Sequence, residues 1–91
     1  MVLTKITRLN AFKKDFKKMM KRGKDIEKLN IVLQKIFEGK TLDVKYNNHK
    51  LIGKFRTRFE CHIEPDWLLV YRIEGDELIL ERMGTHSDLF K

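Results

Sequence analysis

The sequence predicts an α+β fold, with helices segregated from an antiparallel sheet. Three observations carry this. Apolar residues recur at helical spacing in two segments between residues 11 and 37. After Gly53 the pattern changes to period two. Finally, "WLLVYRI" and "ELILERM" read as two strands joined across Gly75–Asp76, a two-residue hairpin connection.

The elements follow in chain order. "VLTKITR" partly alternates and is expected to form a first strand. Asn10 is placed to cap a helix over residues 11–22. Phe12, Phe16, Met19 and Met20 share one face of it, and lysines cover much of the rest. Gly23 stops it, because glycine tolerates a left-handed cap. A second helix is expected over residues 25–37, with Ile26, Leu29, Leu33 and Ile36 as its apolar stripe and Gly39 beyond its end. The short turn between the two implies an antiparallel pair. "KTLDVKYNNHKLIG" has loop composition and contains His49. In "KFRTRFECHIE", alternation puts Phe55, Thr57, Phe59, Cys61 and Ile63 on one side. Arg56, Arg58, Glu60 and His62 fall on the other. The hairpin completes an antiparallel run of three strands. No repeat or linker interrupts the 91 residues, so one domain over 1–91 is expected.

Composition narrows the function. The formal charge of +7 is unevenly placed. Residues 1–24 hold nine Lys or Arg and one acid, net +8; residues 25–91 hold eleven basic and twelve acidic residues, net −1. Such a field suits a polyanion or an acidic protein partner, although a solvated helix face has the same composition. Cys61 is the only cysteine, so no internal disulfide forms and a reducing compartment is the simpler reading. No apolar run approaches the roughly 20 residues of a membrane span, and the N-terminal stretch lacks the apolar core of a signal peptide. A cytoplasmic protein without membrane association is expected.

Three histidines raise metal binding first, but no HxxxH or CxxC pair is present, so no metal and no cofactor are expected. Cys61 falls on the apolar side of its strand, where a thiol is inert. Metal-free RNA cleavage fits better. Attack of a ribose 2′-OH on the adjacent phosphate needs a base, an acid for the departing 5′ oxygen, and cations for the developing charge. His49, His62 and His86 can serve the proton roles near neutral pH, and Asp66 can act as base or orient a histidine. Arg58 and Arg82 are candidates to hold phosphate oxygens. Trp67 and Phe90 are candidates to stack on bases. Each of these residues also has an ordinary reading as surface, turn or core.

The segments "HKLIGKF", "ECHIEPDWLLVYRIEGDELIL" and "RMGTHSDLF" resemble the YafQ-type toxins of the RelE superfamily, in order and spacing, over residues 49–90. The N-terminal half agrees in pattern only. The resemblance implies a microbial-ribonuclease-like fold: an N-terminal strand and two antiparallel helices on a curved antiparallel sheet. It also implies a ribosome-dependent mRNA endoribonuclease of a type II toxin–antitoxin module. Position by position, the functional histidines match His49, His62 and His86, the aspartate Asp66, the aromatic beside it Trp67, and the C-terminal aromatic Phe90. His86 becomes the expected general acid, with Asp66 and the other histidines as base and charge stabilisers. The chain departs from many relatives at Phe55, where they carry Trp, and at Arg58–Glu60, where "RFE" replaces "YRE". By parity this moves the arginine to the His62 side.

The implied partners are a neutralising antitoxin that is a DNA-binding dimer, mRNA on the ribosome, and ribosomal RNA. Lys13, Lys14, Lys17, Lys18 and Lys21 are the candidate docking surface for ribosome and antitoxin. Two other readings stand beside this one: a non-catalytic basic module binding RNA or an acidic protein, and a gyrase-poisoning ParE-like toxin on the same fold. The second would not need the His/Asp set.

Overall fold

The computed structural model describes residues 3–51 and 58–90. The start of the first expected strand at Val2, the end of the loop segment at Gly53, and Lys54, Phe55, Arg56 and Thr57 of the segment "KFRTRFECHIE" lie outside the described residues.

The order is β1 (Lys5–Arg8), α1 (Asn10–Lys21), α2 (Ile26–Phe37), a 3₁₀ turn (Val44–Tyr46), β2 (His49–Lys50), β3 (Phe59–Glu64), β4 (Trp67–Glu74), β5 (Glu77–Gly84) and α3 (His86–Leu89). The strands form one sheet in the order β1-β5-β4-β3-β2. β3, β4 and β5 form the expected antiparallel run of three, and β2 adds a fourth antiparallel strand. β1 pairs parallel with β5, so the sheet is mixed. The turn at Gly75–Asp76 explains how β1 is held there: the Asp76 carbonyl accepts from the Thr4 N–H at 2.8 Å.

α1 packs on β5, and α2 contacts β3. Between helices and sheet lie Phe12, Met19, Leu29, Val32, Ile36, Cys61, Trp67, Leu69, Tyr71, Leu78, Leu80 and Met83, all buried. Phe59 joins this side, stacked on Tyr71 with centroids 5.4 Å apart, as its strand parity requires. The helix ends follow simple chemistry. Asp25 caps α2, accepting the Glu27 N–H at 3.0 Å. Gly23, at φ +78°, closes α1 with bonds from the Gly23 and Lys24 N–H groups to the Met20 and Met19 carbonyls.

Some expectations change. Asn10 is the first helical residue, not the cap; Leu9 holds that position without a side-chain bond. Met20 is 55% exposed, and Asp15 takes a place on the buried face of α1. In α2, Val32 is fully buried while Leu33 is only partly so. The segment around His49 contains a short edge strand, β2, paired with Phe59 and Glu60.

Two irregularities interrupt the register of the sheet. The register shifts between His62 and Glu64 in β3. In β5, Val70 faces Arg82 and Tyr71 faces Leu80, so Glu81 is an extra residue. Such a bulge re-aims side chains. Leu80 and Met83 both enter the core, and Glu81 and Arg82 both leave it.

Candidate active site

The three histidines converge. His62 projects from β3 on the side opposite Cys61 and Ile63, and His86 opens α3 just past β5. Their rings meet edge to face, with centroids 5.7 Å apart. His49, at the start of β2, faces Glu60 across the ladder. The Glu60 carboxylate lies between two of them, 3.6 Å from His49 Nε2 and 3.5 Å from His62 Nε2. Glu60 is only 7% exposed, and sequence reasoning did not single it out. Parity placed it beside His62, and the cross-strand pair with His49 was the missing step.

Asp66 lies in the turn between β3 and β4. Its Oδ1 accepts two bonds from His86: the backbone N–H at 3.0 Å and the ring Nδ1–H at 2.6 Å. A carboxylate oxygen can only accept here, so the proton sits on Nδ1 and Nε2 faces outward. The His86 N–H, and next the His86 ring, hold the Asp66 carboxyl below its ordinary value. Asp66 therefore remains ionised near neutral pH and orients His86. His49 is fixed similarly: its Nδ1–H donates to the Asn47 carbonyl at 2.7 Å. Asn47 adopts a left-handed conformation at φ +46°, which asparagine tolerates.

The two candidate arginines each meet a buried acid. Glu81, on the bulge, accepts Arg58 Nε at 2.6 Å and a guanidinium N–H of Arg72 at 2.7 Å. Asp15 of α1 accepts Arg82 Nε at 2.8 Å and the Met83 N–H at 3.0 Å. Arg58 and Arg82 line a cavity of about 200 Å³ with Leu51, Val70, Leu89 and Phe90. Phe90 is 46% exposed.

One assignment is corrected. Trp67 is fully buried in the core, with the Lys24 ammonium 5.8 Å from its ring centroid. No ring face is open to a base, so Trp67 is a packing residue rather than a stacking platform. Its parity on β4 matches Leu69 and Tyr71, which share the core. The Cys61 thiol is buried, and burial pushes it up to about 12, with the nearby Glu60 adding to the effect. It is not a nucleophile at neutral pH. Among the described residues, no group of three or more His, Cys, Asp or Glu side chains is arranged to hold a metal ion. No helix among them is long and apolar enough to cross a membrane.

All five candidate lysines of α1 are exposed. Lys18 Nζ comes within 3.9 Å of Asp88 in α3.

Comparison with known proteins identifies relatives of the whole chain. The profile of the family described as "Bacterial toxin of type II toxin-antitoxin system, YafQ" matches residues 4–91. The chain is 36% identical over 80 residues to the "mRNA interferase toxin YafQ" of Escherichia coli strain K12, covering 87% of each chain. Its fold is similar to that of the toxin in the E. coli DinJ-YafQ toxin-antitoxin complex, with TM-score 0.91 and 33% identity, covering 99% of this chain and 100% of that one. It is also similar to a copper-bound mutant toxin from Helicobacter pylori, with TM-score 0.93 and 42% identity, covering 97% of this chain and 100% of that one.

Proposed function

The chain belongs to the YafQ family of bacterial toxins of type II toxin–antitoxin systems, and from that premise we propose that it is a metal-independent endoribonuclease that cleaves mRNA on the ribosome. The observation that carries the mechanism is the His86–Asp66 pair, with Nδ1–H directed at the carboxylate and Nε2 outward. An imidazole held this way is a proton donor and acceptor of fixed direction.

In the proposed reaction the ribose 2′ oxygen attacks the adjacent phosphorus. A new 2′-O–P bond forms and the P–O5′ bond breaks. The 2′ proton passes to a base in the His49–Glu60–His62 row. Protonated His86 delivers a proton from Nε2 to the departing 5′ oxygen, and Asp66 stabilises its charge and orientation. The products are a 2′,3′-cyclic phosphate and a 5′-OH. Arg58 and Arg82 hold the non-bridging phosphate oxygens, their guanidinium planes set by Glu81 and Asp15. Phe90 supports a base beside the cavity those arginines line.

The exposed lysines of α1 serve association. Lys13, Lys14, Lys17, Lys18 and Lys21 follow ribosomal RNA phosphates, and the same surface meets a cognate antitoxin that is a DNA-binding dimer. A relative crystallised with DinJ supports an antitoxin partner. A surface this small reads little RNA sequence, so the ribosome supplies much of the alignment.

The test is primer extension on a cellular mRNA after induced expression of wild type and His86→Ala, followed by end-group analysis of products from purified protein and ribosomes. Wild type should give 5′-OH ends and remain active under chelation that leaves ribosomes intact. His86→Ala should fold and fail to cleave. Cleavage by folded His86→Ala at the wild-type rate, or products with 5′-phosphate, would overturn the mechanism.

A further inference from the structure

His86 stands on a helix of only four residues, α3. A helix that short does not sustain itself, because nucleation costs more than its few bonds return. What holds it lies outside it. Asp88 and Thr85 form a reciprocal cap: the Asp88 N–H donates to Thr85 Oγ1 at 3.2 Å, and the Thr85 N–H donates to Asp88 Oδ2 at 2.9 Å. The Asp88 carboxylate also receives a two-pronged guanidinium. Arg22 donates from one terminal nitrogen to Oδ2 at 2.7 Å and from the other to Oδ1 at 3.1 Å.

Arg22 is itself fixed. It is the C-cap of α1, the last residue before the glycine-closed end. On the other side, Gly84 leaves no slack: a Cβ there would stand 2.9 Å from the Asp88 Cβ. The turn is thus wedged between the end of β5 and the end of α1. Both bonds from His86 to Asp66 start from the first residue of this turn, so its position decides whether the ring keeps its direction.

Resting on the ribonuclease reading above, we propose that Arg22 and Asp88 are positioning residues for His86. Arg22 joins the basic helix to the catalytic turn, with Lys18 Nζ 3.9 Å from the same carboxylate, a role separate from that of Lys13, Lys14, Lys17 and Lys21. The bland alternative is a surface ion pair of little consequence, since such pairs often contribute almost nothing. The two differ in what they predict for turnover. A surface pair leaves turnover alone, whereas a positioning pair affects turnover and not binding.

The experiment compares Arg22→Ala, Arg22→Lys and Asp88→Asn with wild type, on programmed ribosomes, separating kcat from KM. The proton on His86 Nδ1 is followed by NMR of the free toxin. Arg22→Ala should lower kcat by about tenfold to a hundredfold, the scale expected when a reacting group shifts by about 1 Å. KM should not change. Arg22→Lys should recover part of the rate, since it restores the charge but not the fork. The His86 Nδ1–H signal should weaken or broaden in Arg22→Ala and Asp88→Asn. A raised KM with unchanged kcat would place Arg22 among the docking cations and overturn the proposal. So would an unchanged Nδ1–H signal in both variants. The NMR readout does not depend on activity: if His86→Ala proves as active as wild type, the ribonuclease mechanism fails while the signal still decides whether Arg22 and Asp88 hold the ring.

Discussion

Asp15 is the only acid among nine basic residues in the first 24, and it is 7% exposed. Replacing it with alanine tests whether the β5 bulge depends on it. Two donors would lose their acceptor. The Met83 N–H is buried, and leaving it unpaired costs about 1–3 kcal/mol. The Arg82 side chain is 43% exposed, so its guanidinium can turn to water, and losing a partner at such a site adds about 1 kcal/mol at most. Alanine is the better helix former, which returns a few tenths, roughly 0.5 kcal/mol. The net loss is about 1–3 kcal/mol, which in a domain of this size lowers Tm by about 5–20 °C. Asp15→Asn keeps a neutral acceptor for the Met83 N–H and should lose less. Thermal unfolding followed by far-UV circular dichroism measures both. If Asp15→Ala unfolds at the wild-type temperature, the Met83 N–H has another acceptor and the bulge does not rest on Asp15.

Three further outcomes are expected. Trp67→Leu keeps an apolar side chain in the core but removes the ring; it should lower Tm and leave cleavage by the folded protein intact, and loss of cleavage without loss of stability would restore a stacking role. Lys13, Lys17 and Lys21 changed together to Glu should slow association with the antitoxin most at low salt, as stopped-flow mixing would show; a rate that stays constant across salt would mean that this face meets something else. The carboxyls of Asp66 and Asp88 are both held below their ordinary value, by bonds from His86 and from Arg22 respectively. A depressed carboxyl stabilises the fold above its unfolded value, about 3.9, and that contribution fades as pH falls through the lower folded value. The α3 turn should therefore hold down to about pH 4 and loosen below it, as the His86 Nδ1–H signal would report; loosening that begins near neutral pH would point to a different titrating group.

Much of this structure was legible because it rests on local periodicity. Alternation in "RFECHIE" separated Phe59, Cys61 and Ile63 from Arg58, Glu60 and His62, and the structure keeps that division. Gly75–Asp76 announced its hairpin. What stayed hidden depends on partners far along the chain. Asp15, among lysines, reads as a solvated face, and its burial follows from a bulge 66 residues later at Glu81. Strict alternation along "ELILERM" would have put Leu80 and Arg82 on one side; the extra residue breaks it. Glu60 required the pairing of β2 with β3, and β2 is only two residues long. Trp67 is apolar, aromatic and adjacent to a catalytic candidate, so composition allowed both roles, and only its enclosure decides between them.

The acids explain how so basic a protein can carry a defined site. Among the described residues, six cations near the site are tied to acids: Arg58 and Arg72 to Glu81, Arg82 to Asp15, Arg22 to Asp88, and Lys24 and Lys28 to Glu64. Among the described residues, Lys13, Lys14, Lys17 and Lys21 have no such ties. A tied arginine contributes less to the distant field, because its carboxylate cancels much of it beyond about one Debye length, roughly 10 Å. It gains direction, since a planar fork already oriented loses little freedom when a phosphate arrives. An untied lysine has the opposite character: long reach, mobile, and effective through counterion release at any phosphate. The arrangement therefore separates attraction from aim. In the proposed reaction, the exposed helix draws a polyanion to the surface without choosing where it lies, and the paired arginines and the Asp66–His86 couple fix the geometry once a phosphate is within their reach.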